Sequence, residues 1–261
     1  MTDFPSAGSG KLVAGLSVIT DAYDRKARLY PALLLFMPVV LVIACGLGKD
    51  TSRAEALVGA FLSCGGLLLL TQIARDAGKK KESRLFETWG GMPSVIIFRH
   101  ADASIDPITK ARYHNKMSSL IKEAKAPSAE EETADPIAAD RIYGSWSTFI
   151  RINTRDTKKY PLLFQENISY GYRRNTWGLR PLGITVTCAC VVGALAWIYA
   201  EHRSTGRISF ELITASVVSL ILLLLWLFYF TSEWVHIPAK AYAERLVESI
   251  DSLGPKFATR K

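Results

Sequence analysis

The chain has 261 residues, a formal net charge of +8 and 49% hydrophobic residues, room for one membrane bundle and one small domain but not for several soluble domains. All four cysteines (Cys45, Cys64, Cys188 and Cys190) sit in apolar segments without metal-site spacing. They read as small packing residues, which argues against a disulfide scaffold or a zinc module.

Residues 1–28 form an N-terminal arm. Leu12, Leu16, Ile19 and Tyr23 recur at helical spacing, with Asp21, Asp24, Arg25, Lys26 and Arg28 near the end. That pattern suits an amphipathic helix lying on the inner membrane face, or equally one packed on a cytoplasmic domain. Charges before the first apolar run and no small-residue cleavage site lead us to expect no signal peptide.

A bilayer core takes about 20 apolar residues of helix. Leu29–Gly48 and Ala56–Ala74 meet that length without a charge and form a first hairpin, residues 29–74, through a turn at Lys49–Glu55. Pro181–Ala200 and Ile208–Ser232 form a second, residues 181–232, with Glu211 as its one charge inside a span. Lipid satisfies no backbone polar groups, so all four must be helices. Gly59, Ser63 and Gly66 share a stripe on the second and read as a close-packing face.

Lys and Arg number 4 in the arm, 2 in the first turn, 19 in residues 75–180, 2 in the second turn and 5 in the tail. Positive charge stays on the cytoplasmic side, so both termini and the central domain are expected in the cytoplasm of a bacterial inner-membrane protein. Trp177, Trp197, Trp226, Tyr229 and Trp234 lie near span ends, where aromatic rings settle at the interface.

The central stretch, 75–180, carries 19 bases and 13 acids. Asp106-Pro107 and Asp135-Pro136 each place an N-cap acid before a proline at the first helical position. Ile108, Met117 and Ile121 are expected to face a core in the first helix, and Ile137, Tyr143 and Phe149 in the second. Residues 126–133, with three consecutive glutamates, read as an exposed linker, and Ser94–Phe98 is compatible with a short strand. Pro161 opens a third helix, with Leu162, Phe164, Ile168 and Tyr172 on its apolar side, that leads straight into the third span. In the tail, 233–261, Val235, Ala239, Tyr242, Leu246 and Leu253 follow a roughly heptad spacing, as for a docked cytoplasmic helix. The expected fold is an all-α membrane protein: four transmembrane helices in two hairpins, with a helical cytoplasmic domain between them.

Gly78-Lys79 lacks the remaining residues of a phosphate-binding loop, and Trp89-Gly90-Gly91 is no dinucleotide fingerprint. His100 and His114, near Asp102 and Asp106, fit no metal motif and read as surface or capping residues. Nothing argues for an enzyme, a metal or a cofactor. The bases carry the remaining signal. Arg75, Arg173, Arg174 and Arg180 read as contacts to anionic lipid, worth about 1 kcal/mol each near the surface. Lys79, Lys80, Lys81 and Arg84, then Arg155, Lys158 and Lys159, lie in sequence beside Trp89, Trp146 and Tyr160. Bases mixed with aromatic rings suit phosphates and stacked bases, so these bases and Trp89 are the candidate ligand contacts. Glu211, Thr214, Ser216 and Ser219 are the candidate pore-lining residues, the alternative being one interfacial acid plus helix-packing hydroxyls. Four spans in one subunit hardly enclose a pore, so a channel requires a homo-oligomer.

Two hairpins around a basic domain, with Gly78-Lys-Lys-Lys-Glu82, Trp89-Gly-Gly-Met-Pro93 and Lys158-Lys-Tyr-Pro-Leu-Leu-Phe-Gln-Glu-Asn167, resemble the four-span membrane effectors of bacterial antiphage systems, Hailong-type channel effectors above all. The resemblance implies an ion channel held or gated by a nucleotide or short single-stranded oligonucleotide, made by a nucleotidyltransferase encoded nearby, that depolarises the cell. It supplies no ligand residues. The alternative is a non-channel membrane anchor or scaffold that recruits a cytoplasmic partner.

Overall fold

The computed structural model describes residues 21–47, 59 and 65–254, and among these the chain is all helix and no strand. A π-wound turn, Asp24–Leu29, runs into α1, Tyr30–Leu47. Then come α2 (Gly66–Trp89), α3 (Pro93–Ile96), α4 (Pro107–Leu120), α5 (Ala129–Ala134) and α6 (Pro136–Asn153). The 45-residue α7 (Pro161–Thr205) is followed by α8 (Phe210–Leu224), a second π-wound turn (Leu225–Tyr229), α9 (Ser232–Glu248) and a 3₁₀ turn, Ser249–Ser252. Among the described residues, three helices are long and apolar enough to cross a membrane: Asp24–Gly46, Pro161–Thr205 and Phe210–Tyr229. They mark the chain as a membrane protein. Of the expected second span, Ala56–Ala74, most of the first half lies outside the described residues, as do Ser63, residues 1–20 of the arm and the tail beyond Gly254.

The chain divides into two compact units, Met1–Glu82 with Gly171–Val235, and Ser83–Tyr170 with His236–Lys261. In the first, Leu29, Leu35, Leu70, Leu179, Leu222, Trp226 and Phe230 make one buried cluster, and Val42, Ala194 and Ala215 a smaller one. α1 turns Leu33, Met37, Val40 and Ile43 outward at helical spacing. Such a large apolar stripe on an outer surface is what lipid, rather than water, accommodates.

The second unit is built around stacked aromatic rings. Phe98 meets Trp146 edge-on at 5.3 Å and Tyr143 at 5.9 Å. Met117, Ile150, Leu163, Leu246, Val247 and Ile250 fill the same core. Trp146 is fully buried, and its Nε1–H donates to Ala124 O at 2.8 Å. The tail helix docks here as its spacing predicts, through Ala239, Ala243 and Leu246.

Both aspartate caps form as expected. Asp106 accepts from Thr109 N–H at 2.9 Å and Asp135 from Ala138 N–H at 3.0 Å. Four local expectations are corrected. Ser94–Phe98 is no strand: Pro93 at the first helical position opens α3, which runs to Ile96, and a turn follows at residues 97–98. Residues 129–134 are helical too: Ser128 and Glu131 make a reciprocal capping box with two orphan amides. Ile108 and Ile137 are 83% and 68% exposed. Each stands directly after an N1 proline, in a first turn that projects from the core, whereas Met117 and Tyr143, further along, are buried. In the first turn of α7 the buried leucine is Leu163, while Leu162 is 56% exposed.

Candidate functional site

In the first unit, α2 and α7 meet backbone to backbone. A Cβ on Gly178 would lie 2.5 Å from the Ala77 carbonyl carbon and the Gly78 nitrogen, and one on Gly78 would overlap Asn175. Only glycine pairs allow this approach. A buried polar layer surrounds the crossing. Arg174, 5% exposed, pairs with Glu82 at 2.8 Å and also donates to Asn175 Oδ1. Asn175, fully buried, donates from Nδ2 to Ala27 O at 2.7 Å. Lys79 pairs with Glu82 at 2.8 Å, and Lys81 donates to Gly178 O at 2.7 Å. Burial alone would raise the Glu82 pKa, but Arg174 and Lys79 outweigh it and hold the carboxyl below its ordinary value.

Three of the four bases expected to contact headgroups are therefore structural. Arg174 is the core of this layer. Arg173 donates to Trp234 O at 2.9 Å and lies over its ring at 5.0 Å. Arg180 donates to Trp226 O and Leu227 O at 2.9 and 2.8 Å. The local reason is that helix ends and π turns leave carbonyls without donors. Arg75 stays exposed beside Gln72.

The predicted ligand bases divide accordingly. Lys79 and Lys81 are engaged in the first unit, while Lys80 is exposed there. Arg84, Arg155, Lys158 and Lys159 are exposed in the second. The loop after α6 is shaped by Asp156, whose Oδ1 accepts from the Lys158 and Lys159 amides at 2.9 and 3.2 Å. Lys159 Nζ lies 5.2 Å from the Tyr160 ring centre. Trp89 stacks on His236 at 4.7 Å, and Trp146 is core. Residues 83–170 hold 12 bases and 11 acids, whereas 75–82 and 171–180 hold 7 and 2. The positive excess thus belongs to the segments flanking the domain.

Sequence reasoning set His100, His114, Asp102 and Asp106 aside as surface or capping residues and did not single out Lys110. His100, Asp102, Asp106, Lys110 and His114 line a cleft of about 310 Å³. Lys110, 6% exposed, donates to Arg99 O at 2.6 Å and to Asp102 O. His114 shares a 2.9 Å hydrogen bond with Phe98 O, and His100 one of 3.0 Å with Pro127 O. In both cases a carbonyl can only accept, so the proton sits on Nε2. Glu132 accepts from the His100 amide at 3.0 and 3.1 Å and from the Tyr143 hydroxyl at 2.7 Å. Arg99 forks onto Asp140 at 2.9 and 2.6 Å. Burial pushes the Lys110 and His114 pKa values down, while burial and then Glu132 push the Tyr143 hydroxyl up. Lysine at one helical turn from histidine (Lys110, His114) was the available signal. Among the described residues, no three His, Cys, Asp or Glu side chains gather as a metal site.

On α8, Glu211 and Thr214 are exposed, Ser216 is half-buried and Ser219 is buried. Each of the three hydroxyls donates to the carbonyl four residues back, at 2.7–2.9 Å. These four residues spread over more than one face of the helix. No family profile, curated protein or solved structure matches the chain significantly.

Proposed function

We propose that the protein is a homo-oligomeric channel effector of a bacterial inner membrane. Its cytoplasmic helical domain binds a nucleotide or short single-stranded oligonucleotide, and its bundle passes ions in defence against phage. The observation that carries this reading is the course of α7. Leu163 at its start belongs to the core of the second unit, and a later part of the same helix is apolar and long enough to cross a membrane. A ligand that favours one conformation of the domain shifts a two-state equilibrium, and a shared rigid helix gives that bias a physical route. Anion contacts fall to the exposed Arg84, Arg155, Lys158 and Lys159, the last lying over Tyr160. Ala56–Ala74 supplies the fourth span, and Glu211 with Thr214 stands at the outer mouth.

A scaffold without a pore is the second reading, and two observations favour it. Outward from Val217, α8 and its π turn present Leu220, Ile221, Leu224 and Phe228, all apolar and 47–74% exposed. The charge of residues 83–170 is also nearly balanced. The readings separate on bound ligand. Nucleotide extracted from the purified protein and identified by mass spectrometry, and lost in a chain carrying Arg155→Glu and Lys158→Glu, is expected. A preparation free of nucleotide that also fails to bind added oligodeoxynucleotides would leave the scaffold.

A further inference from the structure

Among the described residues of the first unit, two stretches are π-wound, and α7 holds both. At Asp24–Leu29 the Tyr30 N–H reaches Arg25 O, five residues back. At Leu225–Tyr229 the Phe230 N–H likewise donates to Leu225 O, at 3.1 Å. A π turn contains one residue more than an α turn. α7 donates to carbonyls of both: Asn175 Nδ2 to Ala27 O in the first, and Arg180 to Trp226 O and Leu227 O in the second, which closes its helix at Phe230 and so leaves its last carbonyls without intrahelical donors.

The second turn is also incompletely satisfied. Trp226 is fully buried, with its ring against Gly183, where a Cβ would come within 2.5 Å of the indole. Its Nε1–H has no acceptor. Orphaned buried donors are rare and ask for a reason. A segment held in one winding by an outside side chain, while one of its own donors stays unpaired, has a second winding within reach.

We propose that Leu225–Tyr229 is a two-state element: π-wound while Arg180 caps its carbonyls, α-wound when Arg180 withdraws. Absorbing the extra residue turns one flanking segment against the other by one helical position, about 100° and about 1.5 Å. The far side is pinned, because Arg173 grips Trp234 through its carbonyl and its ring. The segment that turns is therefore α8. The turn exchanges its buried edge, Ser219 and Leu222, for the residues that follow each of them, Leu220 and Leu223. Arg180 is a positioning residue for this switch, which requires that α8 spans the membrane but not that the protein conducts.

The test reads helix phase. In a cysteine-free full-length chain in bilayers, nitroxides are placed singly at positions 217–224 and their oxygen accessibility is measured. The native chain gives maxima at 217, 220, 221 and 224 and minima at 219 and 222. Arg180→Gln is expected to displace maxima and minima together by one residue. Deleting Phe228 from that variant removes the extra residue and is expected to restore the native phase. An unchanged phase in Arg180→Gln overturns the proposal, and so does a loss of periodicity that the deletion does not repair. Ion flux is not read, so either of those outcomes leaves the channel reading standing, and absence of flux leaves the switch standing.

Discussion

Removing the Glu82 carboxylate tests whether the polar layer at the α2–α7 crossing is structural. In Glu82→Ala, Arg174 stays 5% exposed and loses its carboxylate, while it keeps the Asn175 amide oxygen at 3.2 and 3.0 Å. Breaking a buried pair from one side costs about 3–5 kcal/mol, because the remaining charge is stranded. Glu82 itself is 15% exposed, and Lys79, its second partner, is half in solvent, which places the expected loss at about 3 kcal/mol. Replacing both partners by apolar groups, Glu82→Leu with Arg174→Met, removes the stranded charge and should recover most of that loss. Denaturant unfolding of the intact chain in detergent, followed by circular dichroism, measures both. A single variant within about 1 kcal/mol of the parent, or a double variant no better than the single, would refute the reasoning. The pH dependence has a definite sign. The folded-state pKa of Glu82 is depressed, so its contribution is complete above the unfolded value, about 4.3, and is lost as pH falls through the folded one.

His114 should make the second unit acid-sensitive at milder pH. Its folded pKa is lowered by burial, so stability is complete above about pH 6.5 and falls below it by at most about 1.4 kcal/mol per unit, a slope that His114→Gln should remove. Ser128→Ala deletes one half of the capping box and should cost about 1 kcal/mol, seen as faster hydrogen exchange over Ala129–Ala134. Gly178→Leu drives a side chain into the Ala77–Gly78 backbone. It should abolish the monodisperse folded species on size exclusion, while Gly193→Leu, with nothing near its Cβ position, should not.

What could be read from the chain depended on how local the physics was. Membrane helices follow from apolar length alone, and Asp106 and Asp135 carry their caps within four residues. The docked tail helix was visible because its apolar spacing is regular. The Ser128–Glu131 box was equally local, yet the run of glutamates around it reads as solvated linker. Arg173, Arg174 and Arg180 were out of reach for a different reason. A base next to a span looks the same whether it faces lipid, caps a carbonyl 46 or 61 residues away in sequence, or pairs with a carboxylate 92 residues away. The cleft of Lys110 and His114 is lined by residues 100–114 alone, but the partners that fix its groups, such as Glu132 on the His100 amide, lie outside that window. Most of the candidate anion bases are exposed: Lys80, Arg84, Arg155, Lys158 and Lys159, and Lys79 although it pairs with Glu82, while Lys81 is half-buried and donates to Gly178 O.

The central claim is ligand-controlled ion passage. The direct measurement is ion flux through purified protein in liposomes of anionic lipid, with and without short single-stranded oligodeoxynucleotides. The account predicts a flux that the oligonucleotide changes, in either direction, and that Arg155→Glu with Lys158→Glu makes insensitive to it. Vesicles that hold their gradient with and without oligonucleotide, from protein shown to be folded and inserted, would contradict it.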